Sequence, residues 1–220
     1  TDITGQFAVS AVSENFLVMD YGRLSKNSGE FGPRRPIARI FEELLREDYK
    51  GPAAISHEFT VRAPVAVKLV MERAKFLSVK VNGHDVTFHQ SDFDINFLEA
   101  DITDAIRVGE NELIYAIDFW QHEGVRFALF DPLATESLRN CLYYDTSFEP
   151  VYLKGDFVVL EDLSLGKATG LPVIGTPLKD QGYPFFKGTM TLEGSLSWSG
   201  AGRAVLELDG RYLAAELTAN

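Results

Sequence analysis

Two alternating runs, F-L-S-V-K-V-N-G-H-D-V-T-F at 76–88 and F-L-E-A-D-I-T-D-A-I-R-V-G-E-N-E-L-I-Y-A-I-D-F-W at 97–120, decide how this chain is read. In the first, apolar residues alternate with polar ones on both sides of Asn82-Gly83. That pair is a strong hairpin signal, because a two-residue primed turn needs positive φ at both central positions and Asn and Gly tolerate it. In the second, a short turn at Asp101 to Ile106 leads into Gly109-Glu110-Asn111. After that corner Leu113, Tyr115, Ile117 and Phe119 fall on one face of a strand.

The pattern extends outward from there. Ile55, Phe59 and Val61 alternate with Ser56, Glu58, Thr60 and Arg62, and Val65, Val67, Leu69 and Met71 repeat the period after Ala63-Pro64. Clean alternation of this kind means one buried face and one wet face, as in antiparallel sheets. His57 falls on the apolar side and reads as a hydrogen-bonded core histidine. Residues 6–21 read as two short strands with a turn near Ser13 to Asn15, with Phe16, Val18 and Asp20 on one face. A Gly- and Pro-rich loop follows, and then the clearly helical segment 36–49, in which Ile37, Ile40, Phe41, Leu44, Leu45 and Tyr49 recur at helical spacing. Pro36 suits its first turn and Gly51 its stop.

Residues 121–150 break the period and form an insertion with a short helix near 135–141. The stretch 161–183 is rich in Gly and Pro and reads as a linker or crossover. Beyond it, G-T-M-T-L-E and A-V-L-E-L-D-G-R-Y-L echo the earlier strands, with Asp209-Gly210 in the place of Asn82-Gly83. Residues 1–160 are therefore expected to form one β-sandwich. Residues 184–220 are expected to be a partial second β module, or extra strands packed on the first, in a piece of a longer enzyme.

The order V-N-G, D-I-T-D-x-I, then G-E-N-E-L before an alternating strand resembles the galactose-binding-like, jelly-roll sugar-binding domain of family 2 glycoside hydrolases and of large bacterial rhamnosidase-like enzymes. The match covers roughly residues 50 to 120, and more loosely Tyr152 to Val159. It implies an all-β antiparallel sandwich with one amphipathic helix and a short helical insertion. It also implies an accessory role, binding carbohydrate or bracing other domains of the parent chain, since in that family the catalytic carboxylates sit in a separate barrel. Structural calcium is the one metal the resemblance leaves room for; no other cofactor is expected, and no D-x-[DN]-x-[DN] loop marks a place for it.

Composition narrows the partners. The 220 residues carry a formal net charge of −11, which argues against nucleic acid and anionic membrane surfaces, where Lys and Arg must replace counterions. No apolar run is long enough to span a bilayer. Cys141 is the only cysteine, so no internal disulfide or thiolate cluster forms. It reads as a small buried hydrophobe, and cytoplasmic localisation is favoured over secretion after removal of a signal peptide. No G-x-S-x-G elbow, phosphate-binding glycine loop or H-E-x-x-H is present.

Sugar recognition needs aromatic faces with amides and carboxylates beside them. Trp120, Gln121, His122 and Glu123 offer that set at a strand end, Tyr144, Asp145 and Glu149 add to it, and Trp198 offers another in a Gly- and Ser-flanked turn. Asp145 with Glu149, flanked by Tyr143, Tyr144 and Phe148, is also the best candidate for a hydrolytic carboxylate pair. Its alternative reading as loop acids and core aromatics is favoured. A structural or protein-interaction module without sugar affinity is the second functional reading, and a small glycosidase, or a fragment contributing to a glycosidase active site, is the third.

Overall fold

The structure is a computed structural model and describes residues 4–92, 94–196, 205, 207, 210 and 214–218. Its strands are β1 (Phe7–Val12), β2 (Asn15–Met19), β3 (Tyr21–Lys26), β4 (Arg35–Pro36), β5 (Gly51–Val61), β6 (Val67–Glu72), β7 (Phe76–Val81) and β8 (His84–Asp85). They continue with β9 (His89–Gln90), β10 (Phe97–Asp101), β11 (Gly109–Phe119), β12 (Val151–Gly155), β13 (Phe157–Val159), β14 (Leu165–Lys167) and β15 (Met190–Gly194). Three helices interrupt them: α1 (Ile37–Arg46), α2 (Glu123–Phe130) and α3 (Glu136–Asn140).

The chain is an all-β antiparallel sandwich. One sheet has the order β2-β12-β6-β10-β9, and the other β13-β14-β5-β11-β7-β8, with β3 also pairing β5 and β4. Its long central pair, β5 and β11, runs in register from Gly109 opposite Val61 to Phe119 opposite Gly51. That register puts Leu113, Tyr115 and Ile117 on the inner face with His57, Ile55 and Ala53, as the alternation requires. Leu17, Leu69 and Leu153 face them from the first sheet, and all belong to one core.

The corner at Asn82-Gly83 is the expected primed turn: φ is 49° at Asn82 and 84° at Gly83, and β7 turns back into β8. Asn82 also ties the hairpin to its neighbours. Its amide donates to the Ala105 carbonyl (2.9 Å) and to Asn111 Oδ1 (2.8 Å), and its Oδ1 accepts from the Glu112 N–H (3.0 Å).

α1 buries Ile37, Ile40, Leu44 and Leu45 against the larger sheet, and Lys26 of β3 holds its outer face through Glu43 (3.3 Å) and Glu47 (2.5 Å). It is shorter than the periodicity predicts. Pro36 is extended (ψ 137°) and ends β4, so the helix starts at Ile37; Asp48, at φ 51°, closes it well before Gly51, and Tyr49 N–H bonds back to the Leu44 carbonyl (3.0 Å).

Two other expectations are corrected, and the pairing of the first two strands is set by distant partners. The two short strands expected over 6–21 are present as β1 and β2, and each has a distant partner: β1 pairs β15 in a separate two-stranded sheet, while β2 pairs β12. The chain changes partners where Ser13 bonds Thr189 and where Glu14 reaches Lys68 (2.9 Å) and Lys154 (3.2 Å). In β2 Phe16 and Val18 share one face, as expected, and the opposite face, carrying Asn15, Leu17 and Met19, is the buried one. A run apolar on both faces hides which of them is buried, and the Asn15 amide settles it by donating to the Phe157 (3.0 Å) and Gly182 (2.8 Å) carbonyls. Residues 123–130, expected as loop, form α2, which buries Val125 and Ala128. Cys141 is exposed, because α3, which it caps, lies on the surface and buries none of its residues.

Residues 161–183 contain β14 and a 3-10 turn at Leu178–Gln181. In the C-terminal echo, M-T-L-E-G is β15, and Trp198 and Asp209 lie outside the described residues.

Candidate functional site

The inner face of β11 ends at Phe119, whose ring is stacked on Phe148 (centroids 5.9 Å apart) and edge-on to Phe41 of α1 (6.0 Å). The next residue has the opposite parity, so Trp120 turns outward and is 47% exposed. Thr146 grips its backbone from both sides: the Trp120 N–H donates to Thr146 Oγ1 (3.0 Å), whose hydroxyl donates to the Trp120 carbonyl (2.8 Å). Gln121 is buried and continues the ladder. Its Nε2 donates to the Thr146 carbonyl (2.5 Å) and its Oε1 accepts from the Asp145 N–H (2.9 Å).

His122 completes it. Its backbone N–H (2.8 Å) and its Nδ1–H (2.6 Å) both donate to Asp145 Oδ2. A carboxylate can only accept, so Nδ1 is the nitrogen that carries a proton at this contact. The same bonds hold the Asp145 carboxyl below the usual carboxylate range. A Cβ at Gly124 would come to 3.0 Å from the imidazole, so glycine there keeps room for the ring. Tyr143, 70% exposed, lies against His122 (centroids 5.4 Å apart), and Tyr144 packs edge-on to Phe41 (4.9 Å) with its other side in solvent.

Trp120, His122, Tyr143, Tyr144 and Asp145 thus gather at one end of the larger sheet. Exposed aromatic faces beside a hydrogen-bonded imidazole and carboxylate can stack on the apolar face of a sugar ring and bond its hydroxyls. Glu123 is the exposed first residue of α2. Glu149 belongs elsewhere: it lines a cavity with Glu72, Arg73 and Tyr115, while Phe148 between the two sites is core. Asp145 and Glu149 therefore sit in different surroundings. Sequence reasoning missed Thr146, whose role rests on bonds across about two dozen residues that no local pattern signals. Among the described residues no group of three or more His, Cys, Asp or Glu is placed to hold a metal ion, and no helix is long and apolar enough to cross a membrane.

Fold and surface together define an antiparallel β-sandwich with a helical insertion displaying aromatic residues. No protein-family profile and no curated protein sequence matches the chain. Among solved structures it is similar to a β-D-glucuronidase of Dictyoglomus thermophilum, at 18% identity over 69% of this chain and 31% of that one, with a TM-score of 0.43. It is also similar to an FMN-binding β-glucuronidase of Facaelibacterium prausnitzii L2-6 (18% identity, 66% of this chain, 23% of that one, TM-score 0.42). A third likeness is to a putative β-galactosidase of Bacteroides fragilis (14%, 65%, 23%, TM-score 0.44). The chain spans less than a third of the length of each.

Proposed function

We propose that this chain is a non-catalytic module that recognises carbohydrate and serves a glycoside hydrolase as an accessory domain. The observation that carries the reading is the exposed ring of Trp120, whose backbone Thr146 bonds from both sides, together with the exposed ring of Tyr143 against the His122–Asp145 pair: exposed rings on a hydrogen-bonded backbone beside a fixed pair are preorganised for a ligand. The ordered corners at Asn82-Gly83 and Gly109-Glu110-Asn111 support the accessory role. Affinity gel electrophoresis against a panel of soluble polysaccharides tests it. Retardation by at least one glycan, markedly reduced by Trp120→Ala, is expected; migration unaffected by every glycan, or a variant retarded like the parent, rejects it.

A second reading has its own support. Phe127, Phe130, Leu133 and Leu138 are exposed on the same insertion, Leu133 at 82%, and apolar residues gathered at one surface are what a protein interface offers. In that case the module is a brace without sugar affinity, and Leu133→Glu, not Trp120→Ala, disrupts its docking.

A further inference from the structure

A cavity of about 60 Å³ lies where the end of β6, the start of β7 and the segment 147–151 meet, bordered by Glu72, Arg73, Phe76, Tyr115, Ser147 and Glu149. At roughly 10–15 Å³ per water, it has room for about four to six waters. That is enough for the hydroxyl-bearing edge of a sugar ring and too little for the whole ring.

Its polar groups are underused. Neither Glu72 nor Glu149 has a basic partner within ion-pair distance among the described residues. Burial, followed by the charges of Glu149 and Asp94, pushes the Glu72 carboxyl up. Tyr115 is 3% exposed; its hydroxyl donates to the Glu149 carbonyl at 3.5 Å, the outer limit of a hydrogen bond, and accepts no bond among the described residues. Arg73 uses one Nη2–H on Gln90 Oε1 and its backbone N–H on the Asn96 carbonyl (2.7 Å).

The mixture selects the ligand. A metal ion lacks three convergent ligands, an anion would meet two carboxylates, and a cation would meet the Arg73 guanidinium. Adjacent neutral hydroxyls suit all of them, because each can donate to a carboxylate while accepting from Arg73 or the Ser147 hydroxyl. We infer that this cavity seats the neighbouring hydroxyls of a neutral hexose, as a site separate from the Trp120 platform. The inference deepens the carbohydrate reading, and it fails separately from the platform.

Titration of the isotopically labelled chain with D-glucose, D-galactose and D-mannose, followed by amide NMR, tests it. At least one hexose is expected to shift the Arg73, Tyr115 and Ser147 signals saturably. Glu72→Gln and Glu149→Gln, both on exposed residues that keep the side-chain shape, are expected to raise that Kd at least tenfold, while Trp120→Ala leaves it unchanged. Unchanged affinity in both Gln variants, or loss of these shifts in Trp120→Ala, overturns the cavity and leaves the platform standing. Glucosamine binding tenfold tighter than glucose overturns the neutral-ligand assignment. Absence of any saturable shift, with no gel retardation, rejects both sites.

Discussion

His57 makes the fold sensitive to acid in a way that can be measured. Its side chain is 1% exposed on the inner face of β5, its ring stacks on Tyr115 (centroids 5.8 Å apart), and its Nδ1–H donates to the Tyr21 carbonyl (3.0 Å). Nε2 is buried with no partner among the described residues, so a proton added there has none of them to bond. Burial, reinforced by the charge of Arg34, pushes the imidazole down from 6.5 to about 4 despite the Tyr21 bond. Between those two values the unfolded chain binds a proton that the folded chain refuses, so stability falls as pH drops. The contribution is fully present above pH 6.5 and is lost progressively down to about pH 4; at about 1.36 kcal/mol per pH unit, the loss comes to about 3 kcal/mol. His57→Asn isolates it, since the Asn amide can still donate to Tyr21 and does not titrate. The variant should start less stable at pH 7, by about 1–3 kcal/mol for the lost packing. Urea titrations of both proteins between pH 7 and 4 should then show the gap closing, because the carboxylates that titrate in this range are common to both. Parallel stability curves for parent and variant would refute the reasoning.

Two further outcomes follow from the geometry. Asn82→Ala removes one side chain that makes three bonds at a left-handed position, and should cost about 2–3 kcal/mol in chemical denaturation; Asn82→Asp, which keeps only the acceptor for Glu112, should fall between. The exposed Cys141 thiol should react with a disulfide reagent in the native protein at close to the rate seen in urea, whereas strong protection would contradict its surface position.

The alternation in 51–61 and 109–119 made the central pair of strands legible, because a strand with one wet face writes its orientation into its own residues. Asn82-Gly83 was legible for a similar reason: its backbone angles are a local demand that few residues meet. β2 was legible as a strand with Phe16 and Val18 on one face, but apolar residues on both faces leave the choice of buried face to neighbours from β12 and to the Asn15 amide. α2 was hidden because it buries only Val125 and Ala128, too few to set up a helical period. At the candidate site the sequence marked Trp120, Gln121, His122, Tyr144 and Asp145 by residue type. Only the fold could show that His122 and Asp145 share two hydrogen bonds across 23 residues, and that Glu149 turns to a cavity with Glu72.

By itself, then, the sequence determined which segments are strands with a single buried face and where the tight turns between them fall, because periodicity and positive φ are properties of a few adjacent residues. Tertiary structure alone decided which strand lies beside which, that β1 pairs β15 rather than β2, and which polar groups meet across the 120–150 insertion. Those outcomes depend on contacts between residues far apart in the chain, where many pairings satisfy the same local pattern and only the packed whole selects one.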